Sequence, residues 1–300
     1  MLLTLTVSCL RPLLHPSEKG KKPMLSLLDV PRYTRESLGL AGINLTTDLL
    51  TGADRPLLEA MRDRGDKASC ACLLLIEPEP QDFGSLGEGA AAKAGERMLR
   101  VLEAAHILGC SAVSMPLVAG VDEDSTLRVV TRLKPVAARA ERLDINLLLS
   151  PREGLTAEPD RVTDLIKRVG GFRLGTFPDF AMAHASGDAE GYLRRLTPYA
   201  SAVSATTTGF GKPKGAKKGK DSDEIVHTAY DLRPMVDAII SVGFDRPLAV
   251  DYRGPGDVLE GINQSRNLLQ AALSDEDPAL EDILEEMEAE FGEAEDSAEE

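Results

Sequence analysis

There is no tryptophan in the 300 residues, and aromatic residues make up only 4% of the chain. That argues against an aromatic-lined carbohydrate groove and against a platform on which nucleic-acid bases stack. Cysteine and histidine are equally scarce, at four each. Cys70 and Cys72 are two residues apart, so they are not a CxxC pair, and no spacing of soft ligands suggests a structural metal. All four cysteines (Cys9, Cys70, Cys72, Cys110) fall in or beside predicted strands, as buried free thiols would in a reducing cytoplasm. No apolar run reaches the 18 or so residues that span a bilayer. The opening MLLTLTVSCLRPLLHP has no basic n-region and alternates like a strand, so it reads as the first strand rather than a signal peptide.

Charge is abundant but unevenly placed. Of the 49 acidic residues, 14 lie in residues 274–300, where there is no Lys or Arg; the rest of the chain sets 35 acids against 34 bases. The net charge of −15 is therefore the property of a tail attached to a nearly neutral body. Like-charge density of that kind predicts disorder for the tail, apart from one short helix striped with Leu280, Ile283, Leu284 and Met287.

The body reads as eight strand-then-helix units. Strands are predicted at 3–8, 42–47, 70–77, 111–118, 145–150, the stretch opening at Phe172, 201–206 and 247–252. The helices between and after them fall at 26–38, 54–67, 90–108, 123–143, 157–169, 188–197, 230–242 and 256–272. Gly109 stands where a C′ glycine ends the third helix. Strands apolar nearly throughout, separated by amphipathic helices, imply a parallel sheet covered on its outer faces. Eight units fit a closed (β/α)8 TIM barrel better than an open doubly wound sheet, and no GxGxxG follows the first strand to favour a dinucleotide fold. The expected layout is one barrel over 1–273 and an acidic tail over 274–300.

Residues 209–224, GFGKPKGAKKGKDSDE, break this rhythm with Lys212, Lys214, Lys217, Lys218 and Lys220. Such a segment is usually a solvated loop. Its place after the seventh strand would also let it attract a phosphorylated substrate or the acidic tail of another copy. Nucleic acid is not expected as a partner, because the tail repels a polyanion and no aromatics flank the lysines.

The stretch FRLGTFPDFAMAH at 172–184 holds the strongest functional candidate. Its apolar run (Phe172, Leu174, Phe177) ends on Asp179, with His184 five residues later. A carboxylate at the C-terminal end of a barrel strand sits on the face where such folds build their sites. The competing reading is a helix N-cap.

Three segments, NLLLSPREGLTAEPDRVTDLIKRVG, GTFPDFAMAHASGDAEGYLRRLTPYASAVSATTTGF and GFDRPLAVDYRGPGD, together resemble the xylose isomerase-like TIM barrels, which include sugar and sugar-phosphate isomerases and epimerases. The resemblance implies a divalent metal (Mn, Mg or Zn) held at the strand ends by Glu, Asp, His and Glu. Carried over, those positions fall on Ser150, Asp179, Ser204 and Asp251. The His often found three residues after the Asp falls on Met182, and the Lys-Asp that often follows the seventh-strand His falls on Thr206-Thr207. Two serines in a ligand set supply neither the charge nor the donor strength of Glu and His.

Two functions follow from the resemblance. One is an isomerase or epimerase that moves a proton next to a carbonyl, with a depleted metal site on Asp179 and Asp251 and with Glu153 as a further acid–base group. The other is a barrel that has lost its metal and binds a sugar or a partner without turnover. His15, Glu77, Arg152, His184 and Arg253 are the candidate substrate contacts, the two arginines as anion clamps. The implied ligand is a small sugar or sugar phosphate in a cytoplasmic protein, and a homo-oligomer is left open.

Overall fold

A computed structural model describes residues 1–15, 22–212 and 225–274. Lys214, Lys217, Lys218, Lys220 and the acidic residues from 275 onward lie outside these.

Eight parallel strands form one sheet: β1 (Leu3–Thr6), β2 (Ile43–Thr46), β3 (Cys72–Ile76), β4 (Ala112–Pro116), β5 (Asn146–Ser150), β6 (Leu174–Thr176), β7 (Val203–Thr207) and, after the two-residue strands β8 (Phe210–Gly211) and β9 (Val226–His227), β10 (Leu248–Tyr252). Their order is β6-β5-β4-β3-β2-β1-β10-β7. The two edges meet through isolated bridges, Thr176 with Ala200 and Asp179 with Ser204, and the Ser204 N–H donates to the Pro178 carbonyl at 2.8 Å. The ring is thus closed as a (β/α)8 barrel.

Among the described residues there are ten α-helices: α1 (Arg11–Leu14), α2 (Val30–Glu36), α3 (Arg55–Lys67), α4 (Glu88–Leu108), α5 (Glu123–Arg142), α6 (Pro159–Val169), α7 (Phe180–Ala185), α8 (Ala189–Leu196), α9 (Arg233–Ile240) and α10 (Val258–Ser274). The starts follow from capping chemistry: Asp54 accepts from the Leu57 N–H at 3.0 Å and Asp122 from the Ser125 N–H at 2.8 Å, each satisfying an orphan donor of the first turn. Gly109 ends α4 in the left-handed conformation (φ 80°), as its position predicts.

Alternation along the strands sorts the core into two layers. Leu3 and Leu5, Ile43 and Leu45, Leu147 and Leu149, Leu248 and Val250 belong to the large cluster shared with the helices. Leu74, Ala112, Leu148, Phe177 and Ala202 form a separate small cluster inside the ring. The intervening positions on β1 and β2 are polar, and the Asn44 amide donates to the Thr4 hydroxyl at 2.9 Å.

Some expectations differ. Phe172 is not part of the sixth strand; it is fully exposed, and the strand starts at Leu174, because Gly170 and Gly171 both adopt positive φ just before it. Within β6 the glycine has a steric reason. A Cβ on Gly175 would stand 2.2 Å from the Tyr199 carbonyl, so only glycine allows the chain before β7 to come this close. The helix expected over 26–38 is a 3-10 turn at Leu27–Asp29 leading into α2, with Pro31 in its first turn. The two short helices α1 and α7, and the β8/β9 hairpin, were not foreseen. All four cysteines are buried and free, and the Cys110 and Cys72 sulfurs lie 3.3 Å apart. No helix of the described residues is long and apolar enough to cross a membrane.

Candidate functional site

The C-terminal ends of the strands enclose a cavity of about 420 Å³. Thr6, Ser8, Arg11, Thr46 and Asp48 line one side; Ser150, Asp179, Met182, Asp251 and Arg253 line the other, with Glu77 and the apolar Ile76, Pro116 and Phe177 between them.

Asp179 lines this cavity and also caps a helix. Its Oδ1 caps α7, accepting from the Ala181 and Met182 N–H groups at 2.9 and 3.1 Å. Its Oδ2 accepts from the Thr206 hydroxyl at 2.6 Å and from Arg253 Nη2 at 3.0 Å. Asp251, at the end of β10, directs Oδ2 to the same guanidinium, with Nη2 at 2.6 Å and Nε at 3.0 Å. The Ser204 hydroxyl donates to that oxygen at 3.4 Å, and the Cys9 thiol donates to Oδ1 at 3.6 Å.

One guanidinium therefore stands between two buried carboxylates. Their side chains are 10% and 7% exposed, whereas that of Arg253 is 53% exposed. Although burial works against its charge, Asp251 and then Asp179 hold the Arg253 pKa above its ordinary value. Burial, followed by the charge of Asp251, pushes the Cys9 thiol well up, so it is a neutral donor here rather than a nucleophile.

The other positions expected to serve the site are less converged. Glu77 is fully buried and lines the cavity, but its oxygens are taken: Arg97 Nε donates at 2.6 Å, the Thr47 hydroxyl at 3.1 Å and the Glu79 N–H at 3.0 Å. Arg152 and Glu153 are exposed and stand outside the lining. His15 is exposed at the end of α1. His184 is exposed on α7, with its ring 4.9 Å from that of Tyr230, next to a separate surface cleft. Arg253 reaches the cavity, but as the partner of two carboxylates rather than as a free clamp.

Sequence reasoning passed over Thr6, Thr46, Asp48 and Arg11, and named Thr206 only as a replacement for a lysine. A usable signal was present, since Asp251 and Arg253 are two apart at a strand end and so share a face. The same rule joins Ser204 to Thr206, whose hydroxyls lie 3.1 Å apart.

These residues do not fit a divalent metal. Both Asp179 oxygens and both Asp251 oxygens already accept hydrogen bonds, a cation already bridges the pair, and Ser150 and Ser204 are neutral. Among the described residues no group of three or more His, Cys, Asp or Glu is arranged to hold a metal ion.

Behind β7, the β8/β9 hairpin is fastened by His227, whose Nε2 accepts from the Thr208 N–H at 3.0 Å. Its Nδ1 lies 2.9 Å from the Tyr230 carbonyl and must therefore carry the proton. That fixes a neutral tautomer. Burial, and to a lesser degree the nearby His184, lowers the His227 pKa against the opposing Tyr230 carbonyl.

The family model described as xylose isomerase-like TIM barrel matches residues 35–272. Among solved structures, L-ribulose 3-epimerase is 15% identical with a TM-score of 0.70, covering 91% of this chain and 95% of its own. The IOLI protein with a bound zinc atom is 15% identical with a TM-score of 0.69, covering 93% and 100%. D-psicose 3-epimerase in the presence of D-fructose is 14% identical with a TM-score of 0.68, covering 91% and 98%. At such identities the likeness establishes the fold alone. No curated protein matches the chain in sequence.

Proposed function

Because the chain belongs to the xylose isomerase-like TIM barrel family, we propose that its barrel mouth binds a small uncharged sugar and does so without a metal ion. The observation that carries this reading is the Arg253 guanidinium bridging Asp179 and Asp251 at 3.0 and 2.6 Å, in the space a metal would need.

Charge selects the ligand class. Four carboxylates line the cavity (Asp48, Glu77, Asp179, Asp251) against two arginines (Arg11, Arg253), and Arg97 adds a third cation from α4 through Glu77. A phosphate dianion would enter a region already short of positive charge, whereas a polyol brings no charge. Polar groups set among Ile76, Pro116 and Phe177 suit a molecule with hydroxyls on one side and C–H groups on the other.

Turnover is disfavoured for a chemical reason. Removing a proton beside a carbonyl needs a free base on one face of the sugar and a charge that stabilises the developing oxyanion. The cavity-facing lone pairs of Asp179 and Asp251 are already engaged, and Glu153 lies outside.

The test combines elemental analysis with proton exchange. The purified protein is expected to hold no stoichiometric Mn, Mg or Zn, to bind a ketose such as D-fructose or L-ribulose by calorimetry, and to leave its carbon-bound protons unexchanged in D₂O by NMR. Stoichiometric metal, or deuterium entering the ketose beside the carbonyl, would overturn the metal-free reading in favour of isomerase or epimerase chemistry.

A further inference from the structure

The two carboxylates at the mouth do not exhaust the guanidinium between them. Nε and Nη2 of Arg253 donate to Asp251 at 3.0 and 2.6 Å, and Nη2 also donates to Asp179 at 3.0 Å. Those contacts take three of its five N–H donors. Nη1, which carries the other two, has no partner among the described residues. The side chain is 53% exposed and lines the cavity, and its buried contacts all run through Nε and Nη2.

We propose that Arg253 is the ligand-binding group of the mouth, donating through Nη1 to a neutral, acceptor-only oxygen, the carbonyl oxygen of an open-chain ketose. This rests on the sugar-binding reading given above and names the atom of the sugar that is recognised.

Two properties of the cluster select that oxygen. Charge is the first. Two carboxylates and one guanidinium carry one net negative charge, so an anionic oxygen arriving at Nη1 is repelled by what lies behind it. Hydrogen-bond capacity is the second. A sugar hydroxyl seated on Nη1 needs an acceptor for its own proton, but all four oxygens of Asp179 and Asp251 already accept. Phe177 and the weakly accepting Met182, which also line the mouth, are no substitute. A carbonyl oxygen has no proton to place.

Arg11, on the opposite wall, is less suited to the task. It is tied only to Asp48, and both side chains of that pair are well exposed, at 47% and 38%. Arg253 is fixed by three hydrogen bonds to two buried partners, so its remaining amino group is aimed before a ligand arrives. Binding stops short of reaction, because no free base stands beside the cation.

The experiment measures, by calorimetry on the full chain, the affinity for L-erythrulose, threitol, L-threonate and L-ribulose in the wild type and Arg253→Lys. Erythrulose is too short to close a furanose ring, so its ketone stays free. Threitol has a hydroxyl in place of that ketone, and threonate ends in a carboxylate. A charged donor strengthens a hydrogen bond enough that the wild type is expected to bind erythrulose about tenfold more tightly than threitol, with threonate weakest. In Arg253→Lys an ammonium between the carboxylates has no planar fork to aim a further donor, and the ratio should fall below about threefold. Loss of a merely structural arginine would weaken both ligands together, so an unchanged ratio in Arg253→Lys overturns the inference. A wild-type ratio near one overturns it too, and that measurement needs no variant to fold. Threonate binding more tightly than erythrulose has the same force. If the wild type binds ribulose and threitol alike, the contact to Arg253 fails while the sugar-binding reading stands; if it binds no sugar or polyol at all, both fail.

Discussion

Removing the Arg253 side chain, as in Arg253→Ala, exposes two buried carboxylates to each other. Both touch one nitrogen, at 3.0 and 2.6 Å, which caps the separation of the two oxygens at 5.6 Å. At an effective dielectric of 20, two unit charges at that distance repel by about 3 kcal/mol. Two effects reduce the net loss. Arg253 is 53% exposed, so water replaces part of what it supplied. Thr206, Ser204 and the α7 N–H groups also remain as donors. The expected destabilisation is about 2–3 kcal/mol, or roughly 3–5 °C in melting temperature for a chain of this size.

The pH dependence separates this mechanism from mere loss of packing. With the cation gone, the two facing carboxylates repel each other in the folded variant, and a bound proton relieves that repulsion there but not in the unfolded chain. Its deficit relative to wild type should therefore shrink as the pH falls from 7 to 5. Millimolar Mg²⁺ or Mn²⁺ should recover part of the lost melting temperature in the variant and none in the wild type. Arg253→Lys should be intermediate, because an ammonium cannot match the fork of a guanidinium. Differential scanning calorimetry across pH and cation concentration is the assay. An Arg253→Ala deficit that neither shrinks at pH 5 nor responds to cation would refute the electrostatic account.

Two further outcomes follow. His227 is held neutral, so between its usual pKa of 6.5 and its lowered folded value the unfolded chain carries a proton that the native state refuses. Stability should fall as the pH drops below about 6.5, and thermal melts of His227→Gln should show a flatter profile between pH 7.5 and 5.5; matching slopes would dismiss the idea. A Cβ on Gly254 would stand 1.8 Å from the Thr208 carbonyl and 2.5 Å from the Tyr252 hydroxyl. Gly254→Ala should accordingly lose about 2–3 kcal/mol in urea unfolding, and an unchanged midpoint would refute the crowding at the β10 end.

The barrel was legible because its signals are local and repeated. Each strand is a short apolar run, each helix carries a stripe of helical period, and Gly109 and Asp54 mark ends by chemistry that depends on a few residues. The sixth strand was misjudged at Phe172, where hydrophobicity alone suggested burial and two positive-φ glycines turned the residue outward. The position of Asp179 and Asp251 at the mouth could be read for the same reason as the strands. What they touch could not, because Arg253 meets Asp179 across 74 residues of chain and only ring closure brings them together. The exposed setting of His15, Arg152, Glu153 and His184 likewise depends on how loops lie, which a strand-end position does not determine.

The seam of the ring gives Asp179 a second reason to exist. Seven of the eight joints between neighbouring strands are paired ladders, but β6 and β7 touch only at isolated bridges, one of them at Asp179 itself. The Thr206–Asp179 hydrogen bond and the shared guanidinium cross that gap, so the polar cluster acts as the clasp of a bracelet. Drift at the mouth is then constrained by architecture as much as by chemistry. A substitution at Asp179 would therefore loosen the ring as well as remove a charge from the mouth.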